Sequence, residues 1–114
     1  MNDLENIGIG TDIENISRFA KIDEKFLNKV FTKNEIRYCY STGDAASHFA
    51  ARFSGKEAVF KALSSISQSC PDYRNIEILN DNNGVPYVKL YKEELKDILV
   101  KISLNNLRLF YAFF

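Results

Sequence analysis

AASHFAARFSGKEAVFKALSS, residues 45–65, is a stretch of chain without proline and with Gly55 as its single glycine. Phe49, Phe53, Phe60 and Leu63 recur in it at helical spacing. At 100° per residue they fall within a stripe roughly 80° wide, which predicts one long helix with an apolar face. With Phe49 at zero, Lys56 falls at roughly −20°, inside the stripe, while Glu57 and Lys61 fall near 80° and 120°, at its edge. A cation among phenylalanines needs a partner anion or a route to solvent. Glu57 and Lys61 are also i,i+4 neighbours, so the bland reading is a surface ion pair beside a snorkelling lysine. Gly55 costs helix stability, about 1 kcal/mol against alanine, and either admits a close neighbour or is incidental.

Outward from this helix, Ile7–Ile13 is a β-branched run with Gly8 and Gly10 and reads as a strand ending near Thr11-Asp12. From Asn15 to about Ser41 the pattern is helical, with Asp23 as an N-cap and Thr32/Glu35 as a capping box. Downstream, the polar loop SSISQSCPDYRN leads to Ile76–Leu79, a turn from Asn80 to Pro86, and Tyr87–Leu90, which read as strand, turn, strand. A short helical piece around Lys92–Asp97 follows. Ile98–Leu104 and Leu107–Phe113 then read as two strands joined at Asn105-Asn106. This order predicts an α+β fold, a long helix packed on a mainly antiparallel sheet, in a single domain spanning residues 1–114.

The chain has 114 residues, of which 46% are hydrophobic, enough for one compact core and too few residues for two. Fifteen basic and fifteen acidic side chains cancel, which argues against nucleic acid as the main partner. No run approaches the roughly 20 apolar residues of a bilayer span, and the first ten residues lack the pattern of a secretory signal. Cys39 and Cys70 lack CxxC spacing and His48 is the single histidine, which excludes a Cys/His zinc site and suggests two reduced thiols. The expectation is a soluble cytoplasmic protein.

Chemistry concentrates in few places. Gly8-Ile9-Gly10 lacks the third glycine of a dinucleotide loop and any following Gly-Lys-Ser/Thr, so close packing or a strand bulge explains the glycines better. Asp12, at the end of an apolar strand, either faces a cleft or caps the segment beginning at Asn15. Arg18, Lys21, Lys25 and Lys29 are three or four apart and make one basic row if that region is helical.

Two segments together resemble the holo-acyl-carrier-protein synthases, a branch of the 4′-phosphopantetheinyl transferases. One is IGIGTDIENISRF, with Asp12 and Arg18 at the family's spacing. The other is ARFSGKEAVFKAL, with Arg52, Lys56, Glu57 and Lys61. A third, weaker match is NIEILNDNNGVPYVKL, with Asn83, Gly84 and Pro86 in the turn. The likeness runs collinearly from Ile7 to Leu90. It implies an enzyme of fatty acid biosynthesis that moves the phosphopantetheine arm of coenzyme A onto a serine of apo acyl carrier protein, releasing adenosine 3′,5′-bisphosphate. It makes Asp12 and Glu57 the ligands of a catalytic Mg²⁺, a cation that commonly takes one or two carboxylates and completes its octahedron with water and phosphate oxygens. Lys61 is expected at a phosphate oxygen as a catalytic cation, with Arg52, Lys56, Asn83, Gly84 and Pro86 around coenzyme A. Arg18, Lys21 and Lys25 are expected to dock the acidic carrier. The likeness also implies a homotrimer with sites between subunits.

The match fails near the end. The family carries Ser-x-Ser-His in its penultimate strand, whereas this chain reads Lys101-Ile102-Ser103-Leu104-Asn105-Asn106, with Ser103 but no histidine. The alternative is therefore a non-catalytic protein on the same fold that holds coenzyme A or a carrier without turnover.

Overall fold

The computed structural model describes residues 7–104 and 109–113. Strand β1 (Ile9–Ile13) leads through a 3-10 turn at Ile16–Phe19 into helices α1 (Glu24–Val30), α2 (Lys33–Ser41) and α3 (Ala45–Ser65). Strands β2 (Ile76–Asn80), β3 (Pro86–Leu90), β4 (Lys101–Leu104) and β5 (Leu109–Phe113) follow. A second 3-10 turn, Tyr73–Asn75, opens β2, and a third, Glu93–Leu95, replaces the short helical piece expected near Lys92. The fold is α+β with every strand pair antiparallel. β1, β5 and β4 form one sheet in that order, and β2 and β3 form a separate hairpin. The expected Asn105-Asn106 turn lies outside the described residues.

The predicted caps form. The Asp23 side chain accepts from Lys25 N at the start of α1, and Thr32 and Glu35 complete a reciprocal capping box at the start of α2. Asn15 caps its own 3-10 turn through Ser17 N, so Asp12 is released from that duty. The condition for one helical basic row, a continuous helix from Arg18 to Lys29, is not met. Arg18 lies on the first 3-10 turn, Lys21 in the link, and Lys25 and Lys29 on α1, because Asp23 starts a new helix between them.

α3 departs from a one-faced helix. Phe49 and Phe53 of its aromatic stripe pack against the residues before it, 5.0 Å from Phe31 and 5.7 Å from Phe19, ring centre to ring centre, while Phe60 lies 5.8 Å from Tyr73 beyond the helix. A second row, Ala50, Ser54, Ala58 and Ala62, lies roughly 160° away around the axis and is buried as well. That row meets β1. A methyl group added to Gly10 would strike the backbone oxygen of Ala58 and come within 2.6 Å of Ala62 N, so glycine sets the close approach of strand to helix. Gly55 likewise admits the side chains of Ile78 and Ile102. Small residues count weakly in any hydrophobic pattern, which is why the second face is invisible to periodicity.

The core has two parts along α3. Phe19, Leu27, Val30, Phe31, Cys39, Phe49 and Phe53 fill the helical end, and Val59, Leu63, Cys70, Ile76, Leu95 and Val100 fill the sheet end. Both cysteines are free and buried.

Candidate functional site

Alternation along β1 turns Gly8, Gly10 and Asp12 toward α3 and leaves Ile9, Thr11 and Ile13 exposed. Asp12 thereby arrives beside the C-terminal half of the long helix. Lys61 Nζ donates to Asp12 Oδ1 at 3.1 Å and to the Thr11 carbonyl at the same distance. The other oxygen of Asp12, Oδ2, is buried and has no hydrogen-bond partner. Glu57, one helical turn before Lys61, is half-buried. Tyr73 packs on the same face of α3, its ring 6.2 Å from Phe53 and 5.8 Å from Phe60. Burial first, then the neighbouring Glu57 carboxylate and the Asp12 charge, push the Tyr73 hydroxyl well above the usual phenol range.

The structure thus pairs Asp12 with Lys61, and Glu57 stands one helical turn before Lys61 on the same helix. Two carboxylates, one with an unpartnered buried oxygen, flanked by an ammonium, form a donor set that suits Mg²⁺ and a phosphate ester together. Among the described residues no cluster of three or more His, Cys, Asp or Glu forms, and no helix is long and apolar enough to cross a membrane.

Two expected coenzyme A residues are placed elsewhere. Lys56 is sealed in the core, its ammonium 2.8 Å from Glu35 Oε1 with both side chains fully buried, and it donates further to the carbonyls of Tyr73 and Ile76. Its three protons are spent, and the anion it needed comes from α2 rather than from a ligand. Burial pulls its pKa below the usual lysine range, while the Glu35 charge opposes the shift. Arg52 is also buried, 4.3 Å over the Tyr38 ring and bonded to Asn80 Oδ1. In this structure both cations take part in the packing of α3 against α2 and β2.

Asn83, Gly84 and Pro86 do form the β2–β3 turn. Gly84 has φ of 82°, a conformation that favours glycine. The Asp81 carboxylate accepts from Asn83 N and Val85 N at 2.8 and 2.9 Å. Asn80 donates to the Gly84 carbonyl at 2.9 Å while accepting from Arg52, so the turn is tied to α3 through one amide. Arg18 is half-exposed, paired with Glu14 at 2.9 Å, and its guanidinium stands 5.2 Å over the Phe53 ring, which itself lies 6.2 Å from Tyr73. A shallow hollow of about 210 Å³ opens beside it, lined by Arg18, Lys21, Asp23 and Phe26 among others. Lys25 is exposed on α1.

Sequence reasoning missed Tyr73 and Glu35. Glu35 was legible only as a capping residue, and its carboxylate also accepts from Ile78 N at 2.9 Å. Tyr73 carries no sequence signal, since only the fold sets its ring against both Phe53 and Phe60.

Comparison with known proteins agrees with the geometry. The family model described as the 4′-phosphopantetheinyl transferase superfamily matches residues 8–111. A holo-[acyl-carrier-protein] synthase of Protochlamydia amoebophila is 47% identical over 88 residues, covering 74% of this chain and 72% of that protein. The acyl carrier protein synthase structure of Mycobacterium tuberculosis superposes with a TM-score of 0.71 at 35% identity, over 93% of this chain and 92% of that one. The Helicobacter pylori holo-[acyl-carrier-protein] synthase, solved in complex with coenzyme A, superposes with a TM-score of 0.70 at 27% identity, over 92% and 96%.

Proposed function

The chain belongs to the 4′-phosphopantetheinyl transferase superfamily and is a transferase of the holo-acyl-carrier-protein synthase kind, and from that premise we propose its reaction in detail. The protein transfers the 4′-phosphopantetheine arm of coenzyme A to a serine of apo acyl carrier protein, with Mg²⁺, within fatty acid biosynthesis in the cytoplasm. The observation that carries this reading is the pairing of Asp12 with Lys61, one helical turn from Glu57, with Asp12 Oδ2 left without a hydrogen-bond partner.

Asp12 and Glu57 would hold Mg²⁺, which when bound neutralises the diphosphate and stabilises charge on the departing phosphate. Lys61, already aimed into the site by Asp12 and the Thr11 carbonyl, steadies a phosphate oxygen with a fixed positive charge. The serine oxygen forms a bond to the β-phosphorus of coenzyme A as the bond to the α-phosphate oxygen breaks, giving holo carrier and adenosine 3′,5′-bisphosphate. The serine proton passes to Glu57 or to a water that it holds. Arg18, Lys21 and Lys25 supply positive potential on the approach for an acidic carrier, and net neutrality is no obstacle because steering depends on local charge. The Asn83–Pro86 turn covers the nucleotide end. A homotrimer is part of this reading, supported by Ile9 and Ile13, 64% and 66% exposed on the outer face of β1.

The non-catalytic alternative rested on the missing histidine. It is not favoured, since Asp12 pairs with Lys61 one helical turn from Glu57 and the relatives named above are synthases.

Incubating the protein with coenzyme A, apo acyl carrier protein and Mg²⁺ should add the mass of the phosphopantetheine arm to the carrier. Asp12→Ala and Glu57→Ala each lower that rate on the order of a hundred- to thousandfold, and chelation stops it. Undiminished transfer in excess chelator overturns the metal reading. Coenzyme A binding without modification of any carrier overturns the transferase reading.

A further inference from the structure

The β2–β3 turn closes on its own residues. Asp81 Oδ1 accepts from Asn83 N and Val85 N at 2.8 and 2.9 Å. Gly84 N donates to the Asp81 carbonyl at 2.9 Å, and Asp81 N donates to the Val85 carbonyl at the same distance. These contacts set the shape of the loop and leave its direction open. A methyl group added to Gly84 would meet nothing within 4 Å among the described residues, and Val85 is 54% exposed. Packing therefore does not hold the tip at these two positions.

Asn80, the last residue of β2, reaches from the turn to the body of the protein. Its Nδ2 donates to the Gly84 carbonyl at 2.9 Å, and its Oδ1 accepts from the Arg52 guanidinium. A guanidinium only donates and a peptide carbonyl only accepts, so an amide fits between them in one orientation. Arg52 is 2% exposed and its guanidinium stands 4.3 Å over the Tyr38 ring. One end of the bridge is thus fixed in the core, and the other is the exposed carbonyl of a turn. A carboxylate at position 80 would still accept from Arg52, but would turn a second acceptor toward the Gly84 carbonyl.

We propose that Arg52 and Asn80 are positioning residues for the nucleotide end of coenzyme A: together they hold the Gly84 carbonyl, and with it the Asn83–Pro86 turn, in place before the nucleotide arrives. A turn ordered in advance removes an ordering cost from binding. Loss of the bridge therefore weakens capture of the nucleotide and leaves the transfer step as it was. The proposal rests on the reading of this turn as the cover of the nucleotide.

The full-length protein tests it in two ways. With glycine labelled by ¹³C at the carbonyl and no ligand present, Arg52→Met shifts the Gly84 resonance although Arg52 makes no contact with Gly84. Asn80→Asp shifts it too while keeping the Arg52 contact, which makes it the reading to rely on where Arg52→Met fails to fold. In calorimetric titration with adenosine 3′,5′-bisphosphate, Asn80→Asp and the neutral Asn80→Leu each bind on the order of tenfold more weakly, the loss expected for one hydrogen bond. Both raise KM for coenzyme A by a similar factor with kcat unchanged. In the Asn80→Leu background, Arg52→Met causes no further loss, since the bridge it acts through is gone. A Gly84 resonance that ignores Asn80→Asp overturns the bridge, and one that ignores a folded Arg52→Met overturns the relay from the core. Wild-type affinity in Asn80→Leu, a fall in kcat in place of the rise in KM, or an equal further loss in the Asn80→Leu background overturns the positioning role. If the wild-type protein binds no adenosine 3′,5′-bisphosphate while the Gly84 resonance still responds, the nucleotide reading of the turn fails together with the role, and the bridge alone stands.

Discussion

Lys56 and Lys61 stand on the same helix, each with a carboxylate partner within 3.1 Å, and the resemblance treats both as phosphate ligands. The structure separates them completely. The Lys56–Glu35 pair is fully buried on both sides, whereas the Lys61 side chain is 51% exposed and its partner Asp12 is 15% exposed. Lys56 spends every proton on the protein, and Lys61 keeps a face toward solvent beside an acid with a free oxygen. The lesson is that a cation in a sequence motif is a ligand only if the fold leaves it unsatisfied. A saturated one works through the backbone it holds.

The largest effect expected from breaking this contrast falls on the sealed pair. Glu35→Ala leaves the Lys56 charge buried without its anion, at a cost of about 3–5 kcal/mol. It also removes acceptors from Thr32 N and Ile78 N. Urea unfolding followed by circular dichroism measures it, and Glu35→Leu combined with Lys56→Met should recover much of the loss. A cost below about 1 kcal/mol would show that the pair is not the clamp described.

On the open side, Lys61→Ala should lower the transfer rate about ten- to a hundredfold while changing stability by less than about 1 kcal/mol, because exposed ion pairs contribute little. Steady-state rates and thermal melts on the same preparation separate the two effects. A large drop in melting temperature would place Lys61 with Lys56 instead.

The smallest effect sharpens the account of the sealed region. Burial pushes the Cys39 thiol up to about 12 from an ordinary value near 9. Between those values the unfolded chain loses a proton that the folded chain keeps, so stability falls as pH rises through that window. Cys39→Ala removes this slope. The variant should be less stable than wild type by about 1 kcal/mol at pH 8, and the gap should narrow steadily above pH 9 in urea titrations. A gap independent of pH would mean that Cys39 is not desolvated as the packing indicates.

Much of the site was legible beforehand, for reasons tied to individual residues. Asp23, Thr32 and Glu35 cap helices through contacts three residues long or less, and local contacts are readable from local sequence. Gly10 was read as a packing residue and is one. Asp12, Glu57 and Lys61 were selected by the family likeness, and spacing alone left them as a cap and a surface pair. The basic row was conditional on one continuous helix, and Asp23, itself recognised as a cap, divides that helix. The second buried face of α3 escaped notice because Ala50, Ser54, Ala58 and Ala62 are too small to register as apolar signal.

The amino-acid sequence by itself determined the helix starts at Asp23 and Thr32, the class of fold, and which acids and cations were candidates. Those properties depend on propensities, caps and periodicities acting over a few residues. Tertiary structure alone decided which candidates are free to act. Glu35 and Lys56, or Asp12 and Lys61, meet across tens of residues of chain. Whether such a pair is sealed or open depends on how closely two elements approach, and that distance is set by side chains far from either charge.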